Sequence, residues 1–196
     1  NRQPVNGKSQ MNYIKAPELQ NGGMLLEVLV TLIVLAIGLL GLAGLQTRLQ
    51  AAEMESYQRA QAILLLNDMA NRIQVNQNAA ATYVTGETYG AGSACPAAGD
   101  TQQERDLSEW CFALQGAAEK SGANDVGAMV GGRGCIESVG ANRYMITVAW
   151  QGLTPISAPP ESISCGAGLY DSAETNCSGD LCRRAITTVV RIATLT

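Results

Sequence analysis

From Met24 to Leu45 the chain reads MLLEVLVTLIVLAIGLLGLAGL, an apolar run broken by one charge, Glu27. A helix rises about 1.5 Å per residue, so about 20 such residues cross the ~30 Å hydrocarbon layer of a bilayer. The run therefore predicts a membrane-spanning helix. A secretory signal has a shorter apolar core, roughly 7–15 residues, followed by a small-residue cleavage site. Neither feature fits. Ahead of the run stand Arg2, Lys8 and Lys15 against Glu18 alone, a bias that keeps this flank in the cytoplasm and sends the rest across.

Helical periodicity continues past the apolar run. Leu45, Leu49, Ala52, Ala60, Ile63, Leu64 and Met69 recur at helical spacing, with Arg48, Glu53, Glu55, Arg59 and Asp68 between them. No proline falls between Gln20 and Ala94, so one helix is expected to run to about Val75.

Residues 78–134 are rich in Ala, Gly, Ser, Thr and Asn, and 91–100 (AGSACPAAGD) has loop composition. Asp106–Lys120 is expected to be a short amphipathic helix, with Leu107, Trp110, Cys111 and Leu114 on one face. Trp110 and Phe112 are assigned to core packing. The glycine-rich stretch 127–134 (GAMVGGRG) lacks the Lys-Ser/Thr of a phosphate loop and reads as a turn. Ile136–Val139 and Arg143–Gln151 form an expected hairpin around the three-residue loop Gly140-Ala141-Asn142. Alternation puts Tyr144, Ile146, Val148 and Trp150 on one face. A last strand, Arg184–Ala193, alternates Ile186, Thr188, Val190 and Ile192. Gln151–Leu181, rich in Pro, Gly, Ser and Cys, is expected to be a long disulfide-pinned loop. The fold class is α+β: a long N-terminal helix packed on a small antiparallel sheet.

The chain has 196 residues, a net charge of −4 and only 15% charged residues, against roughly 25% in ordinary soluble domains. No basic footprint for nucleic acid is present. Six cysteines without a single histidine point to structural cystines in an oxidising compartment. They also remove the usual general base and the commonest metal ligand. No C-x-x-C pair occurs, the nearest spacing being Cys177 and Cys182, so a zinc or thioredoxin-like site is not expected. No catalytic residue, metal or cofactor is assigned. Cys95, Cys111, Cys135, Cys165, Cys177 and Cys182 allow 15 pairings, among which spacing does not choose; proximity favours Cys95–Cys111, and Cys177–Cys182 or Cys165–Cys182.

Glu27 is the residue that a plain membrane anchor leaves unexplained. A carboxylate deep in a spanning helix costs about 2.5–3.5 kcal/mol on insertion scales, and less near the interface, where it can reach the headgroups. The residues before it, Asn21-Gly22-Gly23-Met24-Leu25-Leu26-Glu27, resemble the leader junction of type IV prepilins and their pseudopilin relatives. Leu66–Ile73 (LNDMANRI), Val148–Gly152 (VAWQG) and Cys182-Arg183-Arg184 are similar to minor pilins of the PilV type. The similarity runs from Gly22 to about Ile192; the first ten residues lie outside it, and Met11 is a candidate start.

The resemblance implies a pilin-like layout with a leader at 1–22, a transmembrane and assembly half of the helix at 23–46, and a periplasmic head at 47–196. It implies cleavage by a prepilin peptidase after Gly22, which makes Gly23 the methylated N-terminus and places Glu27 fifth. Cleavage after Gly23 would start the chain at Met24 and leave Glu27 one place early. In assembled filaments the family pairs this Glu with the terminal amine of a neighbouring subunit. Gly38, Gly41 and Gly44 read either as close-packing positions or as sites where the helix partly melts on assembly. Implied partners are the major pilin, other minor pilins, a tip adhesin, the peptidase/N-methyltransferase and the inner membrane, with the cell-surface pilus as final location. A type II secretion pseudopilin shares the leader and helix. From a different class, an anchored exported enzyme or binding domain would need a nucleophile, base or metal constellation that the residues do not offer.

Overall fold

A computed structural model describes residues 23–117, 120–121, 124–125, 129–172 and 176–193. The expected leader, with Gly22 and Met11, and the first two residues of the expected 127–134 turn lie outside the described residues. One helix, α1, spans Gly23–Val75, followed by a 3-10 helix at Gln77–Tyr83. The two-residue strand β1 (Tyr89–Gly90), the helix α2 (Gln102–Leu114) and the two-residue strands β2 (Lys120–Ser121) and β3 (Asn124–Asp125) come next. The long strands β4 (Arg133–Gly140), β5 (Arg143–Gln151) and β6 (Arg183–Arg191) complete the order. Two compact units meet between Thr47 and Arg48.

In the second unit the antiparallel sheet has the order β1-β4-β5-β6, and β2 pairs with β3 in a separate ribbon. Tyr144, Ile146, Val148 and Trp150 of β5 are all buried in the core that holds Ala62, Leu66, Met69 and Ile73 of α1. Their shared face follows from the two-residue period of a strand. The buried face of α1 is Gln58, Ala62, Leu66, Met69, Ala70 and Ile73. That corrects the expected stripe. Of its members only Met69 is buried, while Leu45, Leu49, Ile63 and Leu64 are exposed. The helix carries apolar residues on more than one face, and spacing alone cannot say which face meets the sheet.

Helix α2 begins earlier and ends earlier than expected. Thr101 and Glu104 form a capping box: the Thr101 hydroxyl accepts from the Glu104 N–H, and the Glu104 carboxylate accepts from the Thr101 N–H. This satisfies two amides that the first turn leaves open. The backbone bond from Thr101, reinforced by its hydroxyl, holds the Glu104 carboxyl below the usual range. Gly116, with φ +93°, follows the C-terminus and ends the helix before Lys120. Leu107, Trp110, Cys111 and Leu114 are buried as expected, but Phe112 is 46% exposed. It lies off the inward face, so its assignment to the core was wrong.

The hairpin loop is also shorter than expected. Gly140 pairs with Arg143, leaving only Ala141 and Asn142 in the turn, and Val139 bulges out of the ladder between Ser138 and Gly140. Asn142 takes φ +54°, a conformation Asn tolerates better than most residues. The last strand ends at Arg191 rather than Ala193.

All six cysteines are bonded: Cys95–Cys111, Cys135–Cys165 and Cys177–Cys182. Cys135–Cys165 anchors the 152–182 loop against the sheet face opposite the helices. There Thr147 and Ala149 are fully buried, as is Cys165. Arg183, 3% exposed, donates to the carbonyls of Ile163 and Cys165 and pairs with Asp180. Tyr170 donates to the Gly131 carbonyl under the Arg133 guanidinium, 4.8 Å from its ring. Burial raises the Tyr170 pKa, with Arg133 opposing the shift. The sheet is thus covered on both faces, and the loop is a layer of the head.

Polar ties lock the front layer. Trp110 Nε1 donates to the Leu65 carbonyl at 2.9 Å, and Arg72 bonds Asp68, Asp106 and Glu109 at 2.9, 2.9 and 2.7 Å. Burial works against the Arg72 charge, but the carboxylates outweigh it and raise its pKa. Fully buried Tyr83 donates to Asp106 and accepts from Asn76. Burial, reinforced by Asp106, pushes the Tyr83 hydroxyl up to about 12 from 10.0.

A phenol that ionises less readily when folded supports the fold fully below pH 10 and loses that support as pH rises toward 12. Thermal melts should therefore show stability falling over this interval. Tyr83→Phe should flatten part of the fall, leaving the contribution of Tyr170 and of Tyr89, whose pKa burial also raises, while costing about 1–2 kcal/mol at neutral pH for the lost bond to Asp106. A second test is Gly134→Ala. A Cβ at Gly134 would overlap the Trp110 ring, so urea unfolding should register a loss of about 1–3 kcal/mol.

Candidate functional site

Every residue from Gly23 to Gln50 is exposed. The best 18-residue window of α1 has a mean hydropathy of 2.8 and is 0% buried. Leu25, Leu29, Leu32, Leu35, Leu39 and Leu42 are each more than half exposed. A helix apolar on all sides belongs inside a large core or a membrane. This one is long and apolar enough to cross a bilayer. Its only side-chain hydroxyls within the run and at its end are satisfied inside the helix: Thr31 donates to the Val28 carbonyl and Thr47 to that of Ala43. Neither brings an unpaired polar group into an apolar medium.

Gly23 opens the helix, and Glu27 sits just beyond the first turn. Among the described residues Glu27 has no hydrogen-bond or ion-pair partner. A carboxylate in such a setting is tolerated at a bilayer interface or beside a cation supplied from outside the chain. Gly38, Gly41 and Gly44 fall within one arc of the helix, and a Cβ at any of them would meet nothing within 4 Å. Nothing in the fold requires glycine there, so close approach within the subunit does not explain them. The structure therefore brings Gly23, Glu27 and the three glycines onto one exposed helix, and puts the six cysteines in the second unit, where they fasten the head. Among the described residues no three His, Cys, Asp or Glu side chains converge on a metal position.

A second concentration of chemistry lies in the head, at residues to which the sequence assigned no site role. Arg184, at the start of β6, donates from Nε to Glu55 of α1 at 2.6 Å, from Nη1 to the Leu181 carbonyl and from Nη2 to the Thr154 carbonyl. Its guanidinium fills the space beside Gly152, where a Cβ would lie 2.5 Å from Cζ. One side chain thus ties helix, strand and loop together. Glu55 and Arg184, with Arg59, Trp150, Ile156, Ala185 and Ile186, border a cleft of about 380 Å³. The available signal was an Arg pair leading a strand, which spacing cannot connect to Glu55 across 129 positions. Comparison with protein-family models, with curated proteins and with solved structures finds no match for this chain.

Proposed function

We propose that the chain is a structural assembly subunit, a minor pilin of a type IV pilus resembling the PilV type. The observation that carries the proposal is the exposed apolar helix with a lone carboxylate four residues beyond Gly23. In this reading the leader is removed at the Gly22/Gly23 junction and the new amine is methylated. The helix waits in the inner membrane with the head in the periplasm. Assembly then moves it from lipid into a filament, beside the major pilin, other minor pilins and a tip adhesin.

The energetics suit such a transfer. Lipid tails are as apolar as leucine, so leaving the membrane requires an equally apolar setting, and neighbouring subunit helices provide it. A carboxylate carried into that dry setting needs a cation, because an unpaired buried charge costs several kcal/mol. The cationic terminus of an adjacent subunit meets this need and fixes axial register. The exposed Leu49, Ile63 and Leu64 support the same reading, since they extend apolar surface along α1 beyond the membrane-length run. Three disulfides suit a head that works outside the cytoplasm.

Glu27→Ala separates insertion from assembly. The variant should enter the membrane and lose its leader as the parent does, because an apolar substitution eases insertion. It should be depleted at least about tenfold from sheared filaments, the effect of ~1.4 kcal/mol of lost pairing. Filaments containing the variant at parental levels would contradict the pairing.

A further inference from the structure

The cleft between α1 and the β5/β6 end of the sheet has an unbalanced set of polar groups. Its one carboxylate, Glu55, is committed to Arg184, and the Arg184 guanidinium is in turn occupied by Glu55 and by the Leu181 and Thr154 carbonyls. What remains uncommitted donates. Arg59 is exposed and, among the described residues, has no acceptor. Trp150 is 3% exposed, and its buried indole N–H has no acceptor among the described residues. The apolar part of the cleft is Ile186, Ala185, the Trp150 ring and Ile156, which is 52% exposed. Leu181, 37% exposed and joined to Ile156 by a backbone hydrogen bond, continues that strip outward.

We propose that this cleft is a docking site for a partner protein's segment that presents a large apolar side chain next to a carboxylate. The apolar side chain would cover Ile156 and Ile186, and the carboxylate would meet Arg59. Charge complementarity selects the acidic partner: the uncommitted Arg59 stands in the cleft of a chain whose net charge is −4, so an acidic segment finds a specific attraction here. The cleft opens onto an exposed apolar strip, which favours a side chain projecting from another protein over an enclosed small molecule. The proposal concerns the head alone and stands apart from the assembly role given to Glu27.

Two tryptophans make the test direct, because the chain contains only Trp110 and Trp150. The full chain, labelled with ¹⁵N-tryptophan and held in detergent micelles, gives one indole resonance from the cleft. The other comes from the interior, where Trp110 is bonded to Leu65. The probe is the blocked peptide Ala-Phe-Glu-Ala, with Ala-Phe-Gln-Ala as its neutral control. The acidic peptide should shift the Trp150 resonance saturably at roughly millimolar concentration and leave Trp110 in place. The neutral peptide, or the Arg59→Gln variant, should weaken binding by about threefold or more. An unmoved Trp110 resonance in Arg59→Gln verifies that the variant is folded. No saturable shift, equal response to both peptides, or full binding by Arg59→Gln would each overturn the proposal.

Discussion

An apolar helix with no cover of its own is the constraint on which the rest of this protein depends. From Gly23 to Gln50 no residue is buried, and each exposed leucine would cost roughly 1.5–3 kcal/mol relative to an apolar setting if left in water. Such a helix is suited to lipid or to the company of other apolar helices. Glu27 sharpens the constraint, since neither setting tolerates an isolated carboxylate without a route to water or to a cation. Surface and charge together are what the proposed transfer from lipid to filament would require of this element.

The second unit has a different task, which is to keep a small sheet rigid. The sheet has apolar residues on both faces, and two layers cover them. α1 and α2 bury Tyr144, Ile146, Val148 and Trp150, while the 152–182 loop closes over Thr147 and Ala149. A loop so rich in glycine, proline and serine has little apolar surface with which to hold itself down. Cys135–Cys165 and the buried Arg183, bonded to loop carbonyls, do that instead. Arg184 performs the equivalent service at the front, connecting α1 to the loop through Glu55 and Thr154. Consecutive arginines at the start of β6 thus point to opposite faces and fasten one layer each, as the alternation of a strand requires.

Much of this was legible from pattern, and the failures have identifiable physical causes. The extent of α1 followed from unbroken helical spacing and the absence of proline, and the inward face of β5 followed from alternation. The buried face of α1 did not follow. Residues 45–64 carry more apolar positions than one interface can use, and the polar Gln58, whose Oε1 accepts from the Val130 N–H, sits on the buried side. The start of α2 is set by Thr101-x-x-Glu104, a capping signal that lies ahead of the apolar spacing and is independent of it. Cys95–Cys111 and Cys177–Cys182 were within reach of proximity arguments, whereas Cys135–Cys165 joins a strand to a loop 30 positions away and depends on tertiary placement. The Glu55–Arg184 tie has the same character at longer range. At the apolar helix, residue types and their order carry the case, and the resemblance of residues 21–27 to a prepilin junction supplies the proposed register.

The mass of the mature N-terminus, measured on the polypeptide purified from its native membrane or from filaments, tests the central claim most directly. A chain beginning at Gly23 with a methylated amine is the result this account predicts. Recovery of the uncut leader ahead of Glu27 would contradict it.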